Sequence, residues 1–349
     1  MTFVYTRVST LLIIAVLGAG INGLSCAVKI KEKYPNVDVT IIANDFTPNT
    51  TGDGSGGLWY PYLCGSTPQQ LLRKWGGETY KYLHKLWLKG GYDVSLMPML
   101  ELYRHKRELH VDEWASSVFG YRMLGKRQLD YLSGLYSVKY VVGRTFTTLV
   151  VYPPTILADM YRRFQKAKGI TIQSNIISLS DMKLKDYNVV INCMGLGSRD
   201  AVPDHKVIPI RGQISRVSIA APWINHTVVD EDTGNYIIPN AYNCVLGGTH
   251  QESNYNREVD DNDTDFILNG CMELMPGIKH AKLITHWVGL RPGREKIRLE
   301  SEEIDGKFYI HNYGHGGSGL TLFWGCASDV LEIFDGYMKG NKQKQKSKL

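Results

Sequence analysis

The run Ile13-Ile14-Ala15-Val16-Leu17-Gly18-Ala19-Gly20-Ile21-Asn22-Gly23 constrains this chain more than any other segment. Five consecutive apolar residues suit a strand covered on both faces, as in a parallel sheet. A G-x-G-x-x-G turn on its own is weak evidence. Here it follows that strand and opens a helix expected from Leu24 to Lys33. Pro35-Asn36 then marks a turn, and Val37–Ala43 reads as a second strand. In a βαβ unit of this size the glycines permit the tight turn, close approach of backbone to a pyrophosphate, and close helix–strand contact. The pyrophosphate meets unpaired amides and the positive end of the helix dipole. Gly18, Ala19, Gly20, Ile21, Gly23 and Leu24 are therefore candidate cofactor residues. A competing reading takes Leu11–Leu17 as a signal-peptide core, with Arg7 before it and Ser25-Cys26-Ala27 after it. The glycine motif decides for the strand, and the run is far below the roughly 18–20 residues of a membrane span.

A dinucleotide site of this kind usually places an acid at the end of the second strand, on a ribose hydroxyl. That place holds Asn44-Asp45. Either Asn44 makes a neutral hydrogen bond or Asp45 shifts into position, and Asn44 is the reading adopted. NAD and FAD share the first turn. A second glycine cluster, His311-Asn312-Tyr313-Gly314-His315-Gly316-Gly317-Ser318-Gly319-Leu320-Thr321, precedes a helix-like apolar run. An amide-lined turn before a helix suits the electron-rich end of a flavin, which favours FAD over NAD.

Between these motifs, residues 46–67 read as loop and 68–90 as helix. Residues 93–150 read as short β-prone pieces and Pro153–Lys168 as a helix with proline at its start. Val189–Cys193 reads as a buried strand leading into Gly195-Leu196-Gly197. The stretch 206–250 is β-rich, with Tyr236–Pro239 and Cys244–Gly248 as a hairpin or meander, and Asp260–Leu274 is helical. Six scattered cysteines, none in C-x-x-C spacing, argue for free thiols rather than a zinc site or a disulfide framework. No metal site is expected. At 43% hydrophobic and 21% charged, the 349 residues have globular composition, which excludes wholesale disorder or a coiled coil.

At this point the residues match a family. The chain resembles the D-amino-acid oxidase and D-aspartate oxidase family of peroxisomal flavoenzymes, from about Ile13 to Glu332. The most specific piece is HNYGHGGSGLTLFWGCA (311–327). Support comes from DFTPNTTGDGSGGLWYPY (45–62), INCMGLGSR (191–199), PIRGQ (209–213), YIIP (236–239), LGGTHQ (246–251) and GLRPGREKIRLE (289–300). The resemblance implies an α/β fold. It has a Rossmann-like FAD-binding domain and a substrate domain with a bent antiparallel β-sheet. The implied division is 11–60, 151–205 and 289–335 for FAD, 61–150 and 206–288 mainly for substrate, and 336–349 as a flexible tail. It extends the FAD set to Thr50, Thr51, Gly57, Leu58, Trp59, Ile176, Gly195, Gly316, Gly317, Ser318, Gly319, Leu320 and Thr321.

For the substrate, the family's carboxylate-binding arginine matches Arg291 and its partner tyrosine Tyr236. The planar fork of arginine suits a carboxylate. The carbonyl of Gly317 would accept a hydrogen bond from the substrate amine. The implied reaction takes a D-amino acid and oxygen to an imino acid and hydrogen peroxide. It proceeds by hydride transfer to the flavin without a side-chain base, so His311 and His315 read as packing or hydrogen-bonding residues. The D-aspartate branch's two side-chain-binding arginines fall on Val229 and His250. Losing both disfavours a second carboxylate, since a buried charge without a partner is costly. His250 in its protonated form would replace one in part. The short connection from Trp223 to Tyr236, by contrast, is like that of the D-aspartate branch. Neutral D-amino acids are the favoured substrates and acidic ones the alternative. A flavin- or NAD-binding protein without catalysis is the reading from a different class, and the intact Arg291 and Tyr236 argue against it.

The sequence ends Ser347-Lys348-Leu349, a peroxisomal address read by an import receptor. The expected location is therefore the peroxisomal matrix. Net charge is +6, which alone would hint at nucleic acid. Five lysines (339, 342, 344, 346 and 348) and no acid lie from Gly336 onward, so the body of the chain is near neutral and no nucleic-acid partner is expected. Oligomeric state and the role of residues 1–10 are not readable from the sequence.

Overall fold

Five apolar side chains at 13–17 leave a strand with nowhere to go but a sheet interior, and Ile14 through Leu17 are all fully buried. In this computed structural model the residues described are 12–218 and 225–346. Residues 1–10, Trp223 and the terminal tripeptide lie outside them.

In chain order the strands are β1 (Ile13–Leu17), β2 (Asp38–Ala43), β3 (Val94–Tyr103), β4 (Phe119–Met123), β5 (Val142–Val151), β6 (Ile170–Gln173), β7 (Val189–Asn192), β8 (Ile208–Val217), β9 (Thr227–Asp230), β10 (Asn235–Pro239), β11 (Cys244–Gly247), β12 (Gln251–Glu252), β13 (Leu283–Gly293), β14 (Arg298–Ile304) and β15 (Lys307–Tyr313). The helices are α1 (Ile21–Lys33), α2 (Gln69–Lys89), α3 (Lys126–Tyr136), α4 (Pro153–Lys166), α5 (Ser198–Ala201), α6 (Asp261–Leu274) and α7 (Gly319–Lys346).

One sheet runs β14-β15-β7-β1-β2-β6 and is parallel except for the β14–β15 hairpin. β1 lies between β2 and β7, so the connections leave it in opposite directions. The carboxyl ends of such strands open a crevice where ligands bind. Helices α1, α4 and α7 carry the apolar residues of the core beside this sheet, among them Leu24, Leu157 and Phe323. The second sheet runs β12-β8-β11-β10-β9-β3-β5-β4, with β13 paired to β8. It is antiparallel except at the β3–β9 junction, where Leu100 lies opposite Val228 in parallel register. Tyr236–Pro239 and Cys244–Gly247 form the expected hairpin, with Tyr236 opposite Gly247.

The expected layout needs four corrections. β13 continues to Gly293 in the second sheet, so the boundary drawn at 288 and 289 cuts through a strand. α2 puts Leu72 and Trp75 against Leu322 and Cys326 of α7 and also packs Tyr80 and Leu83 into the core beside β3 and β5, so it bridges the cofactor layer and the substrate sheet. Residues 93–150 hold two ten-residue strands and the helix α3, not only short pieces. α7 carries on to Lys346, so most of the stretch read as a flexible tail is helical. All six cysteines are free and buried. Among the described residues no helix is long and apolar enough to cross a membrane, and no cluster of potential metal ligands occurs.

Candidate active site

A cavity of about 710 Å³ extends from the ends of β1 and β2 to the facing second sheet. Its floor is the first glycine turn. Gly18 has φ +95°, and a Cβ there would lie 2.6 Å from the Cys193 carbonyl oxygen. A Cβ at Gly23 would lie 1.9 Å from the Gly18 oxygen. Both glycines are therefore required by backbone contact. α1 has no side-chain cap and no acid in its first turn, and Gly18, Ala19, Gly20, Ile21 and Asn22 line the cavity. Open amides at a helix start favour an anion.

At the end of β2, Asn44 and Asp45 both line the wall, and the Asn44 amide donates to Asp45 Oδ2 at 2.9 Å. Ile176 and Gly195 also line it, as do Thr50, Thr51, Gly57 and Leu58. Asp53 holds the loop by accepting from the Thr50 amide (2.9 Å) and hydroxyl (2.7 Å). Across the cavity Gly316, Gly317, Gly319 and Leu320 form the second glycine turn. A Cβ at Gly316 would meet the Leu63 oxygen at 1.9 Å, and one at Gly317 the Tyr62 ring at 2.5 Å.

Five expected cofactor residues do not reach the wall. Gly23 and Leu24 face inward: Leu24 is fully buried, and its amide is already bonded to the Gly20 oxygen. Trp59 is buried in the core with its indole N–H on the Gly76 oxygen at 3.1 Å. Ser318 and Thr321 act as staples. Ser318 Oγ accepts from the Tyr62 amide (2.6 Å) and donates to the Tyr62 oxygen (2.8 Å). Thr321 Oγ1 does the same for Tyr60 at 3.2 and 2.9 Å. They fix the segment 60–62 on the start of α7 rather than facing the cavity.

The second sheet supplies the polar end. Arg291, on β13, donates from Nη1 to the Thr249 oxygen at 3.0 Å. Gly212 leaves room for it, since a Cβ there would lie 2.2 Å from Nη1. Tyr236 lies over Gly247 and Gly248, where a Cβ would meet its ring or hydroxyl at 1.9 and 2.7 Å. Burial raises the Tyr236 phenol above its ordinary pKa, with the Arg291 guanidinium opposing. Tyr62 is pushed up to about 12 by burial, again against Arg291. Both phenols therefore stay protonated, each with an O–H available to donate. His250 lines the same end, its ring 3.3 Å from where a Gly234 Cβ would stand.

Tyr62, Glu231, Trp287 and Gly212 belong to this wall and were missed from sequence. Side-chain alternation was the available signal. From the isolated bridge of Leu58 to Val150 onward, Leu58, Tyr60 and Tyr62 line the cavity while Trp59 points the other way. Val229 and Glu231 line it at the same spacing. Burial and the nearby Glu101 raise the Glu231 carboxyl to about 7.

Three buried polar atoms without partners, Asn22 Oδ1, Ser55 Oγ and His315 Nε2, belong to residues of this wall. Burial holds His315 down at about 4, so its imidazole is neutral. Orphaned donors and acceptors beside two glycine cradles fit a large polar cofactor such as FAD, which would satisfy them.

A family model described as FAD dependent oxidoreductase matches residues 14–333. A D-amino acid oxidase of Dugesia ryukyuensis is 38% identical, over 92% of this chain and 96% of its own. A D-aspartate oxidase of Homo sapiens is 34% identical, over 92% and 94%. The glycine oxidase structure from Bacillus cereus ATCC 14579 superposes with a TM-score of 0.76 at 18% identity, covering 93% of this chain and 95% of the other.

Proposed function

This chain belongs to the family of FAD-dependent oxidoreductases that includes the D-amino acid oxidases and D-aspartate oxidases, and we propose that it oxidatively deaminates D-amino acids, neutral ones in preference to D-aspartate. The carrying observation is the guanidinium of Arg291 facing two neutral phenols, Tyr236 and Tyr62, across from the Gly316-Gly317 turn. A carboxylate docks on the arginine fork and accepts from the phenols. The Gly317 carbonyl is free to accept from the α-amine. Carboxylate, amine and side chain are then held at three points, which presents the α-hydrogen for only one enantiomer. FAD held between the Gly18–Asn22 and Gly316–Leu320 turns would supply the acceptor for that hydrogen and its electron pair, and would pass the two electrons to oxygen as hydrogen peroxide. The amine lone pair completes the C=N bond, the excess proton goes to solvent, and the imino acid hydrolyses to a 2-oxo acid and ammonia. No general base is required, so orientation is the protein's main contribution.

The preference against D-aspartate rests on Val229 and Glu231 in the wall. The first offers a second carboxylate no partner and the second repels it. His250 on the same wall favours the acidic reading. Purified protein should be yellow, and it should bleach anaerobically with D-alanine but not L-alanine. Oxygen uptake should release peroxide. A colourless protein that takes up no FAD overturns the assignment. D-aspartate turning over faster than D-alanine, with the ratio unmoved in His250→Ala, overturns the preference. The tripeptide Ser347-Lys348-Leu349 is proposed as the peroxisomal address. Removing it should leave a fluorescent fusion in the cytosol, and unchanged import would refute the address.

A further inference from the structure

Glu231 stands one residue beyond β9, at the start of the turn to β10 and two after Val229, and both residues line the cavity. In register, Val229 lies opposite Tyr236, the phenol beside Arg291. The Tyr62 phenol is within reach of the charges of both Arg291 and Glu231. Glu231 therefore lies at the substrate end of the cavity rather than at the glycine turn of β1.

Among the described residues the Glu231 carboxylate is paired with no cation, although Arg144 and Arg107 lie near enough to act on it. Its one side-chain hydrogen bond among them comes from the Tyr60 hydroxyl at 3.2 Å. The neighbouring cations are committed elsewhere. Arg144 pairs with Glu101 at 2.7 Å and Asp112 at 2.6 Å. Arg104 pairs with Asp230 at 2.6 Å and Glu273 at 2.8 Å, and Arg107 pairs with Asp232. A half-buried carboxylate in a ligand cavity, holding one neutral donor and no cation, is an incomplete pair.

We propose that Glu231 is a specificity-determining residue, presenting its carboxylate to an ammonium or guanidinium at the far end of the substrate side chain. This rests on the D-amino-acid reading above. Arg291 binds the α-carboxylate at one end of the substrate, and Glu231 binds the opposite charge at the other. A charge-assisted hydrogen bond completes that pair. The same carboxylate excludes D-aspartate and D-glutamate by repulsion.

D-Arginine and D-citrulline, which share length and shape and differ in charge, are the discriminating pair for the holoenzyme. The ratio of their kcat/KM values should favour D-arginine and fall about tenfold in Glu231→Gln. Glu231→Asp should retain part of the preference. A ratio that moves less than twofold in Glu231→Gln overturns the proposal. Binding gives a second readout without turnover, from the flavin spectrum during titration with 5-guanidinopentanoate or hexanoate. Glu231→Gln should weaken the guanidino ligand about tenfold relative to hexanoate. Equal effects on both ligands overturn the role of Glu231. If no D-amino acid is oxidised, the reaction reading fails by itself, and the ligand ratio still decides for or against Glu231.

Discussion

Replacing Ser318 by alanine separates a staple from a cofactor contact. The hydroxyl is fully buried and serves three groups: the Tyr62 amide at 2.6 Å, the Tyr62 oxygen at 2.8 Å and Cys64 Sγ at 3.1 Å. Alanine leaves the amide and the oxygen without their partner. Each such loss costs about 1–3 kcal/mol where water cannot enter. Tyr62 is half-buried, so water recovers part of this, and about 2 kcal/mol is the expected net loss. For a chain of this size that lowers the melting temperature by about 3 °C. The loss should be present in the FAD-free protein, because the segment 60–62 and the start of α7 meet without the cofactor. Tyr62 also carries one of the phenols beside Arg291, so the KM for D-alanine should rise more than kcat falls. Melting curves of FAD-free and FAD-loaded protein decide the matter. If the FAD-free proteins melt together and a difference emerges only with FAD, Ser318 is a cofactor residue, as its motif suggested, and the staple argument fails.

Three further outcomes follow from the same geometry. In Gly212→Ala the new Cβ, 2.2 Å from Arg291 Nη1, displaces the guanidinium; D-alanine KM should rise about tenfold while FAD affinity, read by flavin fluorescence, stays constant. Gly23→Ala places a Cβ 1.9 Å from the Gly18 oxygen, backbone against backbone, and should abolish FAD uptake in a spectroscopic titration. Glu231→Gln should change how stability depends on pH. The folded carboxyl, raised from 4.5 to about 7, binds its proton more tightly than the unfolded one, so its stabilisation is complete below about 4.5 and is lost as pH rises through 7. At about 1.4 kcal/mol per pKa unit the loss is about 1–3 kcal/mol. The glutamine variant should thus gain on the wild type between pH 5 and pH 8 in paired melts, and a constant difference would refute the raised pKa.

What was legible in the sequence was what is local in it. β1, its glycine turn, α1 and β2 are consecutive, and each is specified by neighbours within a few residues: continuous apolar residues, glycines at fixed offsets, a Pro-Asn turn. β7 was legible for the same reason, since Val189 through Asn192 are all buried. α3 was not, because of its stripe Leu129, Leu132 and Tyr136 only Leu129 is buried, and Gly134 interrupts the helical run. The site shows the same divide. Both glycine turns stand out as motifs, but a motif names consecutive residues while neighbouring side chains can point to opposite sides. Leu58 and Trp59 are adjacent in the matching segment, yet only the first faces the cavity. Glu231 is a harder case. It lines the cavity two residues after Val229, but its lack of a paired cation depends on where Arg104, Arg107 and Arg144 spend their charges, and their partners range from 32 to 169 residues away in the chain. Charge at a site is thus a property of the folded network. A near-neutral chain body is therefore compatible with one end of a cavity holding a guanidinium for a carboxylate and the other a carboxylate for a cation.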